Sequence, residues 1–146
     1  MRRRLDRLVT FFRWLPLLIE ALFWVMVAWF WLTFRSYRAL RPRFFATAVT
    51  DEGQTGTWRV ERVAWAVHHA SRIVPRATCL TQALAAQIML ARRGLPAMVH
   101  IGVRRDDTST FEAHAWLTFR GVVILGNRSE LADRYAQLAE YGPTAA

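Results

Sequence analysis

The chain has 146 residues, 53% of them apolar and 13% aromatic, and its formal charge of +9 rests on 20 arginines with no lysine. That length suffices for one domain with its own core, and a mean hydropathy of +0.11 excludes a solvated, disordered chain. A pI near 11.4 would fit a nucleic-acid binder, but the charge is local. Residues 1–43 hold nine arginines against Asp6 and Glu20, a net +7, whereas residues 44–146 hold eleven against nine acids, a net +2. No nucleic-acid reading module accompanies these arginines, so nucleic acid is not an expected partner.

The chain is read as two parts, an arginine-flanked apolar helical segment (1–43) and a near-neutral domain (44–146). In Met1–Arg13 a polar stripe at Arg3, Arg7, Thr10 and Arg13 alternates with Leu5, Leu8, Val9 and Phe12, the spacing of an amphipathic helix with a cationic face. Pro16 is expected to kink or restart it. Ala21–Phe34 carries no charge, and its fourteen residues would reach about 21 Å as a helix, short of a hydrocarbon core of about 30 Å. Extension back to Leu15 admits Pro16 and Glu20. Arginines on both sides give no orientation, and no small-residue cleavage site follows, against a secretory signal peptide. Three readings stay open: a helix anchored at or lying in a membrane surface, a buried or partner-docking helix, and a single span.

Arg35–Arg43 reads as a basic connector and Asp51–Thr57, with two glycines, as a loop. In Val60–Val74, the residues Val60, Val63, Ala64, Val67, Ala70 and Ile73 share one helical face, and Val74-Pro75 ends it. In Cys79–Arg93, Leu80, Ala83, Leu84, Gln87, Ile88 and Ala91 recur at helical spacing. Thr78 is the expected N-cap, Gly94 the C-cap and Pro96 the stop.

Cys79 thus falls at the first helical position. A helix N-terminus carries partial positive charge and unused N–H groups, which favour a thiolate over a thiol and can hold an oxyanion. The alternative is a small buried residue. As the single cysteine, it excludes an internal disulfide framework and fits a reducing compartment.

Downstream the period becomes two. Met98–Arg104, Phe111–Phe119 and Val122–Leu125 read as strands, with turns at Arg105–Thr110 and Arg120-Gly121. Ala113, Ala115, Leu117 and Phe119 fall on one face of the second strand, and Glu112, His114, Trp116 and Thr118 on the other. His114, between two alanines, has room for another element to approach. A cysteine at a helix start and a histidine on a later strand is an order used by thiol nucleophiles with an imidazole base. His100 competes for that role, His68 and His69 read as surface or packing residues, and a zinc site from Cys79, His100 and His114 lacks short ligand spacing.

The combination VPRATCLTQALAAQIMLARRG, PAMVHIGV and EAHAWLTFRGVVILG resembles the transglutaminase-like leader peptidases of lasso-peptide biosynthesis, the family of the microcin-processing protein's C-terminal domain, over about residues 60–141. The resemblance implies an α+β, papain/transglutaminase-like fold in which the helix bearing Cys79 packs on an antiparallel sheet bearing His114, preceded here by an N-terminal apolar helix. The family's third residue is usually an aspartate on the following strand. This sequence reads Leu125-Gly126-Asn127 there, and Asn127 is the match, an amide that can orient an imidazole. The implied activity is cysteine-peptidase removal of a leader from a precursor peptide, without a cofactor or metal. A separate leader-binding protein and an asparagine-synthetase-like cyclase are the implied partners. The implied location is cytoplasmic, with inner-membrane association through the N-terminal segment as an added option. Transamidation or deamidation by the same residues, and a catalytically weak adaptor, are the competing readings.

Overall fold

The computed structural model describes residues 2–34, 55–105, 111–126 and 136–141. Within them, α1 (Arg2–Phe34), α2 (Thr55–Ser71) and α3 (Cys79–Ala91) precede β1 (Ala97–Arg105), β2 (Phe111–Phe119), β3 (Val122–Leu125) and β4 (Ala136–Tyr141). The strands form one sheet in the order β3-β2-β1-β4, with every neighbouring pair antiparallel. This is the expected α+β arrangement, a cysteine-bearing helix on a small antiparallel sheet with an apolar helix at the N-terminal end.

The sequence of α3 explains its central place. CLTQALAAQIMLA is apolar on nearly every side, a pattern that only a helix enclosed by other elements can satisfy, and ten of its thirteen residues are buried. It touches α1, α2, β1 and β2. Leu84, Ile88 and Leu90 are fully buried, each worth about 1.5–3 kcal/mol relative to exposure. Thr81 and Gln87 are the buried polar residues of this helix, and Gln87 Nε2 donates to the Ala97 carbonyl at 2.9 Å, tying α3 to the start of β1. The C-terminus closes as a Schellman motif. The Leu95 N–H donates to the Leu90 carbonyl (3.0 Å) and the Gly94 N–H to the Ala91 carbonyl (2.9 Å), with Gly94 at φ 71.

In the sheet, Ala97 and Val99 of β1 and Ala115, Leu117 and Phe119 of β2 are all buried in the cluster that includes α3. Arg120 and Gly121 close the β2–β3 hairpin as a two-residue loop, both at positive φ, as a type I′ turn requires.

Two expectations are corrected and one further strand is found. α1 does not restart at Pro16 but runs through it as one helix. Pro16 is exposed, while Trp14 packs on Trp65 (centroids 5.1 Å apart) and Leu17 joins the core, so packing on both sides of the proline outweighs its missing N–H. The second helix spans 55–71 rather than 60–74, taking in Thr55–Thr57, which read as loop; Ile73 then lies in the turn beyond it, 71% exposed instead of on the core face. β4 was absent from the periodicity, because AQLAEY gains its strand form from pairing with β1.

α1 is two-sided. Ala21, Trp24, Val25 and Ala28 are buried with α2, α3 and the sheet in one cluster. Glu20, the acid inside the apolar stretch, meets Arg93 just beyond α3 through two bonds, Nη1 to Oε1 at 3.0 Å and Nη2 to Oε2 at 2.6 Å, and Arg93 Nη1 also donates to the Met89 carbonyl.

Candidate active site

Residues 72–78 lead from α2 into α3 through Pro75 and through Arg76, a non-glycine residue at φ 59. Thr78 then takes extended dihedrals (φ −80, ψ 168), and its Oγ1 accepts from the Thr81 N–H at 3.3 Å. That is the side-chain cap expected from the sequence, and it makes Cys79 the first residue of α3. The helix itself supplies no acceptor for the N–H groups of its first turn, and Thr78 satisfies the one at Thr81.

Cys79 is half-buried, and its Sγ accepts from the backbone N–H of Ala115 at 3.3 Å. Two features of the sheet permit this approach. β3 pairs with β2 from Phe119↔Val122 only as far as Leu117↔Leu125, which leaves the β2 edge at Ala115 beyond that pairing. Ala115 itself is small enough for a helix terminus to reach the backbone. Cys79 and the half-buried His114 line one pocket of about 360 Å³ together with His68, Gln82, Ala115, Leu125 and Gly126. A second hollow of about 390 Å³ adjoins it across His68, Leu125 and Gly126, and carries Glu61, Ala64, Trp65 and Ile124. The thiol therefore sits at one end of an open trough between α2 and the β3 edge.

Of the three candidate residues, the structure brings Cys79 and His114 into one pocket, and Asn127 lies outside the described residues. His100 is not in that pocket. Its Nε2 is 2.7 Å from Thr118 Oγ1, its ring stacks on Trp116 (5.4 Å, 9° between planes), and its Nδ1 lies 3.8 Å from Glu140 of β4. Those contacts give it a structural place across three strands. No group of three His, Cys, Asp or Glu side chains able to hold a metal occurs among the described residues, so Cys79, His100 and His114 do not converge there.

Two pocket residues were not singled out in the sequence. His68, read as surface or packing, lines both hollows, whereas His69 bonds its own helix through the Trp65 carbonyl (2.8 Å) and stacks on that tryptophan. The available signal was the stripe Glu61, Trp65, His68, spaced four and three along the non-core face of α2. Gln82 follows Cys79 by three residues, so it lies one turn further along the same face of α3.

The fold and this site define an α+β domain with a half-buried thiol at the mouth of a helix-and-sheet pocket. The chain belongs to the transglutaminase-like superfamily, whose family model matches residues 23–140 and so begins inside α1. The superfamily consists in general of cysteine-dependent enzymes, with protease-like or transamidase-like activity. No curated protein and no solved structure matches the sequence.

Proposed function

We propose that the chain is a cysteine peptidase that removes the leader from a lasso-type ribosomal precursor peptide. The observation that carries the reading is the contact of Cys79 Sγ with the Ala115 N–H, which sets the chain's single cysteine beside His114 in an open pocket. The substrate class rests on the resemblance of the stretches around Cys79 and His114 to the leader peptidases. The adjoining trough supports it, because an extended peptide needs such a channel leading to the thiol.

In this mechanism His114 takes the thiol proton, and Sγ attacks the carbonyl carbon at the leader–core junction. The anionic oxygen is held by first-turn N–H groups of α3, with the Gln82 amide as a side-chain donor in the same pocket. His114 returns its proton to the core's departing amine as the C–N bond breaks, leaving the leader as a thioester on Cys79. Water, giving a proton to His114, attacks the thioester; the leader leaves as a carboxylate and the thiol is restored. Asn127 is assigned the task of orienting the imidazole. A separate leader-binding protein presents the precursor, and an asparagine-synthetase-like, ATP-using cyclase acts on the freed core.

The test is to incubate precursor peptide with the protein and its leader-binding partner and to weigh the products. Two fragments whose masses sum to precursor plus water support the peptidase. Loss of ammonia without a cut replaces it with deamidation, a ligated amine replaces it with transamidation, and leader removal that survives Cys79→Ala in cells reduces the protein to an adaptor.

A further inference from the structure

We propose that α1 seats the protein on an anionic membrane surface, lying in the plane of the interface with one face in lipid and the other in the protein core. Ile19, Phe23, Met26, Phe30 and Phe34 are between 51% and 65% exposed. At 100° per residue they fall within an arc of about 80°, and Ala21, Trp24, Val25 and Ala28, all buried, centre on the opposite side. A shallow apolar groove of about 520 Å³ runs along the exposed stripe.

Three observations select the occupant. First, Trp14–Phe34 is long and apolar enough to cross a bilayer by composition alone, but its inner face is packed on α2 and α3, and Glu20 is paired with Arg93 beyond α3. A span would carry that ion pair and its polar neighbours into hydrocarbon, where charged groups are costly. Embedding one face leaves them outside. Secondly, arginines precede the stripe at 2, 3, 4, 7 and 13 and follow it at 35, 38, 41 and 43. Guanidinium groups match phosphate oxygens in a fork geometry, so both flanks of the stripe complement lipid phosphates. Thirdly, the same charge opposes a second copy of the chain, since pairing stripe on stripe would bring together two segments that each carry a net +7 over residues 1–43. An apolar face between basic flanks is the pattern of interfacial helices. The reading is independent of the peptidase assignment, since it uses none of the pocket residues.

The test is sedimentation of the full chain with vesicles of phosphatidylcholine alone and of phosphatidylcholine mixed with phosphatidylglycerol. The proposal expects binding to the mixed vesicles that weakens with added salt, is released by alkaline carbonate, and falls by more than about tenfold in Phe23→Glu/Phe30→Glu. Both substituted side chains are exposed, so circular dichroism and the Tm should match the parent. Ile73→Glu, which removes an exposed apolar side chain outside α1, should bind within about twofold of the parent. Absence of vesicle binding overturns the proposal, as does equal binding by the double variant or an equal loss in Ile73→Glu. Resistance to carbonate establishes a span instead. A dimer in lipid-free solution that the double variant dissolves, with no vesicle binding, assigns the face to a second copy; capture of the purified leader-binding protein by the same face, again without vesicle binding, assigns it to a protein.

Discussion

The thiol of Cys79 and the backbone of Ala115 are joined by a 3.3 Å hydrogen bond across 36 residues of sequence. One contact thus fixes the distance between the first turn of α3 and the strand that carries His114. Ala115 is buried, so its side chain limits how close the helix can come. Ala115→Val should lower stability by about 1–3 kcal/mol through overpacking and reduce kcat/KM by roughly tenfold to a hundredfold through displacement of the thiol. Ala115→Gly keeps the N–H and the space, so it should lose stability but retain kcat/KM within about threefold. Thermal unfolding and steady-state kinetics on the precursor peptide separate the two effects.

The four histidines should separate by function. His114→Ala is expected to reduce kcat by roughly 10²–10⁴ with the fold intact. His100→Gln, which loses the stack on Trp116 and strains the bond to Thr118, should leave kcat/KM within about threefold and lower stability by about 1 kcal/mol. His68→Ala, on the wall shared by the two hollows, should raise KM more than it lowers kcat. A reversed order between His100 and His114 would move the base to a histidine outside the Cys79 pocket.

Thr78 holds the start of α3. Thr78→Ala should cost about 1 kcal/mol, a shift in Tm of a few degrees for a domain of this size, and Thr78→Ser should recover most of it. Differential scanning calorimetry of the three proteins is the check.

Glu20 and Arg93 make a two-bond pair with both side chains about a third exposed. A double-mutant cycle through Glu20→Gln and Arg93→Met should return a coupling of about 0.5–1 kcal/mol, the range of partly screened pairs with good geometry. The coupling should shrink in high salt. A value of zero would mean that the inner face of α1 is held by its apolar residues alone.

The parts legible in the sequence were those set by local chemistry. Thr78, Cys79, Gly94 and Pro96 marked α3 through capping and termination, and Arg120-Gly121 marked a hairpin, because such signals act within a few residues. What escaped was set by distant partners. AQLAEY has no strand pattern of its own and becomes β4 beside β1. Ile73 has the spacing of a core residue, but the chain turns at 72 before it can be used. Glu20 counted against a membrane span, and its counter-charge Arg93, 73 residues away, gave no local signal. His68 carried no motif, and its place in the pocket depends on where α2 lies against the β3 edge. Helical periodicity could identify an amphipathic face for α1 but not its second, apolar one, since a segment that is hydrophobic all round gives no direction.

The enclosure of α3 bears on how such a protein can diverge. Interiors packed at crystal density hardly compress, so a helix wedged among α1, α2 and the sheet transmits any change of core volume to the sulfur at its tip. Drift in the core then displaces the thiol as well as loosening the packing. The trough beside it is less constrained at Glu61, an exposed residue of α2 that can be exchanged without moving Cys79, whereas Trp65 is tied to Trp14 and Ile124 packs against the core. Lineages that keep Cys79 can therefore vary that part of the wall without displacing the thiol.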